Sequence, residues 1–231
     1  MNYAIIAAGE GSRLSQEGVT LPKPLVKLDG KAMVQRLIDI FLENEADSIS
    51  VIVNEEMKEV QDYLCNLKLD IPFNIIIKST PSSMHSFYEL RNFLRECKFC
   101  LTTVDTIFRK EDFADYIKTF IANKGHDGVM AVTDYIDDEK PLYVSTNETM
   151  DISGFLDESN NSKYISGGIY GLTPKAIDIL ESCIKSGQSR MRNFQRQLVA
   201  NGLKLKAYPF SKIVDVDHAE DIKKAEEFIK I

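Results

Sequence analysis

Tryptophan is absent from the 231-residue chain, histidine occurs three times and cysteine four times, and these shortages exclude several chemistries together. His85, His126 and His218 are too scattered to form a metal set or to serve a seryl nucleophile in a triad, so none is assigned to acid–base catalysis. Cys65, Cys97, Cys100 and Cys183 make no disulfide framework. Cys97 and Cys100 have the spacing of a redox or zinc half-site, but they open an apolar strand without a second pair, which reads as buried free thiols. No apolar stretch approaches the roughly 20 residues of a membrane span, and no basic start followed by an apolar signal core opens the chain, so a cytoplasmic protein is expected. Thirty-five acidic residues against 28 basic ones leave a net charge of −7, which argues against a nucleic-acid groove as the main surface.

What is present begins at residue 3. An apolar strand, Tyr3 to Ala7, runs into Ala7-Ala8-Gly9-Glu10-Gly11-Ser12-Arg13-Leu14, and Lys23 follows inside Pro22-Lys23-Pro24-Leu25. Glycines let the backbone approach a ligand and turn successive N–H groups toward phosphate oxygens. Arg13 adds a planar, permanently charged fork and Lys23 a compact point charge, a pairing suited to a polyphosphate. The prolines around Lys23 bias it toward extended backbone. A dinucleotide fingerprint needs a third glycine where Leu14 stands, and a Walker A loop needs Ser or Thr where Ala32 follows Gly30-Lys31, so both are excluded.

AAGEGSRL followed by PKPLVKLDGKAMVQRLID resembles the amino-terminal signature of the sugar-1-phosphate nucleotidyltransferases, LAAGxGxRL and then PKPL. The resemblance implies an NTP joined to a sugar 1-phosphate with release of pyrophosphate, and a Rossmann-like, GT-A-like three-layer sandwich around a mixed, mainly parallel sheet. It places Ala7, Ala8, Gly9, Gly11, Ser12, Arg13 and Lys23 on the nucleotide, with Arg13 and Lys23 catalytic. Phe99 to Val104 is an apolar run ending in Asp105, at the edge where open α/β sheets bind ligands. It is similar to the family's strand that ends in a Mg²⁺-holding aspartate, although Thr103-Val104 replaces Asn-Gly. Alternation sends Asp215 and Asp217 to one face, and the resemblance assigns the second metal position to Asp215, with Asp217 as second choice. Asp217 or His218 is read as the cap of the last helix, and Glu220 and Asp221 as first-turn acids.

Ile165-Ser166-Gly167-Gly168-Ile169-Tyr170 looks like the family's glycine-bearing strand beside the sugar, which places Gly168 and Tyr170 on the acceptor. The family's Glu-Lys-Pro element is missing, and Lys163 either replaces its lysine or sits in a solvated loop. Ser79 to Leu90 departs from the usual glycine-rich loop and somewhat resembles cytidylyltransferases that activate phosphocholine. Ser83 and Ser86 there either bond the base or acceptor or cap a helix. Phe87, Tyr88 or Tyr170 would cage a cationic acceptor in that case. Two alternatives to an NDP-sugar enzyme therefore stand: a CTP-dependent enzyme acting on an alcohol phosphate, and a nucleotide-binding regulator without turnover.

Periodicity gives helices near 33–45, 55–68, 84–96, 111–123, 174–186, 189–201 and 218–230, with strands near 3–7, 49–53, 73–78, 99–104, 127–133, 141–145, 151–156, 164–172, 204–209 and 213–216. The order predicts one domain over 1–231: a nucleotide-binding half, 1–125, with parallel strands, and an acceptor half, 126–231, that adds antiparallel strands and the second metal ligand. A monomer or small homo-oligomer is expected.

Overall fold

Strand and helix alternate from the first residues of the computed structural model, which describes residues 1–137 and 139–230. The first half runs β1 (Asn2–Ala7), α1 (Ser12–Gln16), β2 (Lys27–Leu28), β3 (Lys31–Ala32), α2 (Met33–Glu43), β4 (Ser48–Val53), α3 (Lys58–Cys65), β5 (Phe73–Ile77), α4 (Ser83–Leu90), β6 (Phe99–Thr103), β7 (Thr106–Ile107) and α5 (Lys110–Ala122). The second half runs β8 (Gly128–Thr133), β9 (Tyr143–Thr146), β10 (Ile152–Leu156), β11 (Tyr164–Leu172), α6 (Lys175–Lys185), α7 (Met191–Ala200), β12 (Leu205–Pro209), β13 (Val214–Asp215) and α8 (Ala219–Ile229).

Nine strands form the main sheet, in the order β10-β9-β11-β6-β1-β4-β5, with β8 paired to β11 and β12 to β8. β1 lies at its centre because Tyr3-Ala4-Ile5-Ile6-Ala7 is apolar on both faces, as a strand covered on both sides must be. It pairs in parallel with β4 and β6, and β4 with β5. The antiparallel additions expected after residue 126 are β9, β10 and β11; β11 runs against β6, β8 and β9.

Helices cover both faces. On one, Tyr3 and Ile5 meet Phe41 of α2, Val60 of α3, Phe113 of α5 and Ala225 of α8. On the other, Ala4 and Ile6 meet Phe87 of α4, Ile177 of α6 and Phe194 of α7. The helical stripes follow from sequence spacing: α2 buries Met33, Val34, Leu37, Ile38 and Phe41, one apolar face at the 3.6-residue period.

Three expectations change. Lys23 is not extended but opens a single 3-10 turn, Lys23–Leu25, closed by the Leu25 N–H donating to the Pro22 carbonyl at 2.8 Å. The helix placed near 84–96 ends at Leu90 and gives way to a 3-10 turn, Arg91–Phe93. Cys65 and Cys97 are exposed, and Cys100 and Cys183 buried, all four free; Cys97 precedes β6 rather than lying inside it. Among the described residues no helix is long and apolar enough to cross a membrane.

Candidate active site

The site gathers at the carboxyl ends of β1 and β6, beside the glycines in the first half of the antiparallel β11. Gly11 caps α1 with φ 63°, in the left-handed region. A Cβ there would stand 2.9 Å from the Cβ of Lys23, so both its conformation and its closeness to Lys23 require glycine. Sequence spacing thus becomes contact: the glycine loop packs directly on the lysine turn.

Lys23 is 8% exposed. Its Nζ donates to Asp105 Oδ2 at 2.5 Å and to Asp217 Oδ1 at 2.6 Å. Arg13, which is far more exposed, reaches the other oxygen of Asp217 at 3.3 Å. Burial by itself would lower the Lys23 pKa, but the two carboxylates outweigh it and hold the ammonium charged well above its ordinary value. Desolvation likewise pushes Asp105 up, yet the Lys23 ammonium, with a Thr103 hydrogen bond, holds it below the usual carboxylate range.

Asp215 is brought to Asp105 by a ladder only two residues long. β13 runs antiparallel to β7, with Asp215 opposite Thr106, and the Val216 N–H donates to the Asp105 carbonyl at 3.1 Å. Solvent reaches Asp215 from the cleft, but among the described residues no cation pairs with it. Desolvation at the cleft floor and the charges of Asp105 and Asp217 push its carboxyl up to about 8. Asp217 lies next to the last helix, whose cap is His218: its N–H donates to Asp221 at 2.8 Å, and the Asp217 N–H to the same carboxylate at 3.2 Å. Glu17, just past α1, accepts from the Ala219 N–H and bonds the His218 ring, both at 2.6 Å, and so ties the glycine loop to that end of α8.

Two cavities share Asp105 and Asp217, and a third opens on Asp215, Asp217 and Arg13 from the side of His218 and Lys224. One, of about 520 Å³, runs along the glycine loop past Gly9, Gly11, Ser12, Arg13 and Lys23 to Asn54, Ser83 and Asp105. The second, of about 300 Å³, lies beyond Asp105, Asp215 and Asp217 and is lined by Gly168, Tyr170, Arg190, Arg192 and Gln195. Gly168 sits at φ 73°, and a Cβ would stand 2.8 Å from Thr106 Oγ1. That hydroxyl and Thr103 Oγ1 are hydrogen-bonded at 2.7 Å, so the floor of the second cavity is one tightly fitted unit.

Not every expected residue joins them. Ala8 lines the first cavity, whereas Ala7 is packed beneath it. Ser86 is buried and hydrogen-bonded to Thr80 Oγ1 at 2.6 Å, yet still edges the cavity. Lys163 is exposed, 3.6 Å from Asp134 and 5.0 Å from the centre of the Tyr164 ring, and lines neither cavity. Phe87 is in the core, and Tyr88 lies under the Arg91 guanidinium at 3.7 Å. Among the described residues no three His, Cys, Asp or Glu side chains gather in a metal-holding cluster.

A family model described as nucleotidyl transferase matches residues 3–230. The chain belongs to that family. Among nucleotidyl transferase relatives, the bifunctional protein GlmU of Methanococcus maripaludis strain C7 is 26% identical over 210 residues, covering 87% of this chain and 48% of that protein. The chain therefore spans about half the length of the curated relatives it matches. The 2-aminoethylphosphonate cytidylyltransferase of Lancefieldella rimae is 29% identical over 79 residues, 34% of this chain and 30% of that one. Of solved structures, the inositol-1-phosphate CTP transferase from T. maritima superposes with a TM-score of 0.82 at 19% identity, over 99% of this chain and 96% of that chain, a likeness of fold.

Sequence reasoning missed several residues of this nucleotidyl transferase cleft. Asn54 is 7% exposed; its amide donates to the Ala8 carbonyl at 3.3 Å, and its oxygen accepts from Glu56 N–H and Ser79 Oγ. It braces the glycine loop from the end of β4, and its position just after an apolar strand was the available signal. Arg190 and Arg192 carried no pattern, because a basic residue at a helix start reads as solvated surface.

Proposed function

We propose that the chain is a single-domain, Mg²⁺-dependent enzyme that joins an NTP to a sugar 1-phosphate, giving an NDP-sugar and pyrophosphate. The observation that carries this reading is the meeting of two cavities at Asp105 and Asp217, one walled by the glycine loop with Arg13 and Lys23, the other by Gly168 and Tyr170.

The donor set fits a magnesium ion. Asp105 and Asp215 are oxygen donors held side by side by the β7–β13 ladder, and two carboxylates leave the remaining positions to phosphate oxygens and water, as Mg²⁺ prefers. When bound, it would neutralise charge on the phosphates that must approach one another.

The protein's own groups do the rest. Backbone N–H groups from Gly9 to Ser12 bind the polyphosphate, with Ser83 at the base end of the same cavity. Arg13 draws charge toward the leaving pyrophosphate. Lys23, fixed at the junction, steadies the phosphates and orients both substrates for in-line attack. Gly168 and Tyr170 bound the acceptor. An acceptor phosphate is already ionised near neutral pH, so no general base is required, in keeping with histidines that lie away from the acceptor cavity or are engaged by Glu17. We place the protein in the cytoplasm, as a monomer or small homo-oligomer.

The test is pyrophosphate release with Mg²⁺, crossing ATP, GTP, CTP, UTP and dTTP with a panel of sugar 1-phosphates and phosphocholine. Release with a sugar 1-phosphate supports the reading. Release only with CTP and an alcohol phosphate would favour the second reading, a cytidylyltransferase, which the matching stretch of a 2-aminoethylphosphonate cytidylyltransferase supports. NTP binding with no release from any pair would overturn both.

A further inference from the structure

The acceptor-side cavity is lined by groups of both charges: Asp105, Asp215 and Asp217, and, from the start of α7, Arg190 and Arg192. The Arg190 backbone N–H donates to Ser82 Oγ at 3.4 Å, which fixes the start of α7 against the loop before α4. Arg192 is held as a fixed fork, with Nη1 donating to Asp157 at 2.7 Å and Nη2 to the Lys140 carbonyl at 2.9 Å. The second oxygen of Asp157 takes Arg196 at 2.7 Å. One carboxylate thus serves two guanidiniums, and among the described residues no side chain pairs with that of Arg190. A further cavity, about 510 Å³, shares Arg190 and Arg192 with this one and adds Asp157 and Arg196, so the two arginines stand between two open spaces.

Arg190 also keeps a backbone that a side chain resists. It caps α7 at φ 73° and ψ 138°, a conformation glycine adopts freely and arginine only under strain. Strained residues of this kind collect at ligand sites, where surrounding structure enforces them. The strain here sets a guanidinium at the rim of the acceptor cavity.

We propose that the acceptor carries a second anionic group, a carboxylate or a further phosphate, apart from its reacting phosphate, and that Arg190 and Arg192 bind it. The proposal rests on the nucleotidyl-transfer reading for which end of the acceptor reacts. Paired guanidiniums match the planar oxygens of a carboxylate or the oxygens of a phosphate, whereas a quaternary ammonium would meet like charge there and, of the three cage candidates, find Tyr170 alone, since Phe87 is in the core and Tyr88 lies under Arg91.

Calorimetric binding of three ligands to the full chain with Mg²⁺ tests this: glucose 1-phosphate, glucuronic acid 1-phosphate, which differs by a carboxylate at C6, and glucose 1,6-bisphosphate. At least one of the two ligands with a second anionic group is expected to bind about tenfold or more tightly than glucose 1-phosphate, the worth of one charge-assisted contact, and which one does separates carboxylate from phosphate. Arg190→Gln should reduce that ligand's affinity far more than that of glucose 1-phosphate, with Arg190→Lys intermediate. Equal binding of all three, or an equal loss for all in Arg190→Gln, overturns the proposal. Pyrophosphate release measured alongside keeps the two readings apart. An anion preference without release leaves the basic subsite standing and removes the transfer reading; release from glucose 1-phosphate with no anion preference does the reverse.

Discussion

Lys23→Met tests the electrostatics of the junction most directly. Methionine keeps the buried stem and removes the ammonium, leaving Asp105 and Asp217 without their shared partner. Removing one side of a fully buried pair costs about 3–5 kcal/mol. Here the Asp105 side chain is 23% exposed and that of Asp217 45%, so water recovers part of the loss, and about 2–3 kcal/mol is the expected destabilisation in metal-free buffer at pH 7. For a chain of this size that is a drop in Tm of roughly 4–12 °C. The pH dependence follows from the signs of the shifts. Asp105 is depressed by Lys23, so its contribution is full above the ordinary carboxylate range and disappears as pH falls through and below it. Lys23 is raised, so its contribution is full below the ordinary lysine range and is lost only as pH rises beyond it. Both contributions are present at pH 7, and the deficit of Lys23→Met should shrink at about pH 4, where the freed aspartate takes up a proton. Urea unfolding with EDTA at the two pH values measures it. Equal stability of the two proteins at pH 7, or a deficit undiminished at pH 4, would refute the reasoning.

Asp105→Asn should abolish pyrophosphate release while circular dichroism shows the fold intact; near-normal turnover would sink the metal assignment. Asp215 behaves oppositely to Asp105: its pKa is raised to about 8, so its ionisation opposes folding as pH rises from about 4 to 8. Metal-free Asp215→Asn should therefore melt above wild type at pH 8 and converge with it at pH 4, and a variant that melts below wild type at pH 8 contradicts that. Gly168→Ala forces a Cβ against Thr106 at a left-handed φ; about 1–3 kcal/mol of stability should be lost, with KM for the acceptor raised more than KM for the NTP in steady-state assays. Glu17→Ala releases α1 from the cap of α8, and the expected outcome is a raised KM for the NTP with little change for the acceptor.

Much of this was legible in order along the chain, for reasons that are local. The strand Tyr3 to Ala7, the stripe of Met33, Leu37, Ile38 and Phe41, and the alternation after residue 126 each report their own surroundings, because burial imposes a period on them. Gly11 with Lys23 was legible as a motif. What remained hidden depends on distant partners. Lys23 and Asp217 are 194 positions apart, and nothing near either one announces that the ammonium sits between two carboxylates. The two-residue ladder of β7 and β13 is too short to have a period. Lys163 shows the opposite failure: a lysine at the expected point of the chain, but on a loop that turns it toward Asp134. Arg190 was invisible because its meaning lies in a torsion angle rather than a residue type.

That short ladder has a consequence for when the protein becomes competent. Its two carboxylates come from positions 105 and 215, and only the docking of residues 213–216 against Thr106 and Ile107 brings them together. The glycine loop follows β1, which pairs with β4 across 46 positions (Asn2 with Ser48), against 107 for Ile107 with Val214, so the earlier pairing closes the shorter loop. During synthesis the glycine loop and Lys23 can thus be built well before Asp215 emerges. A chain stalled or cleaved ahead of β13 would hold that loop without the second acid, and the proposed metal pair would be completed only as the last strand docks.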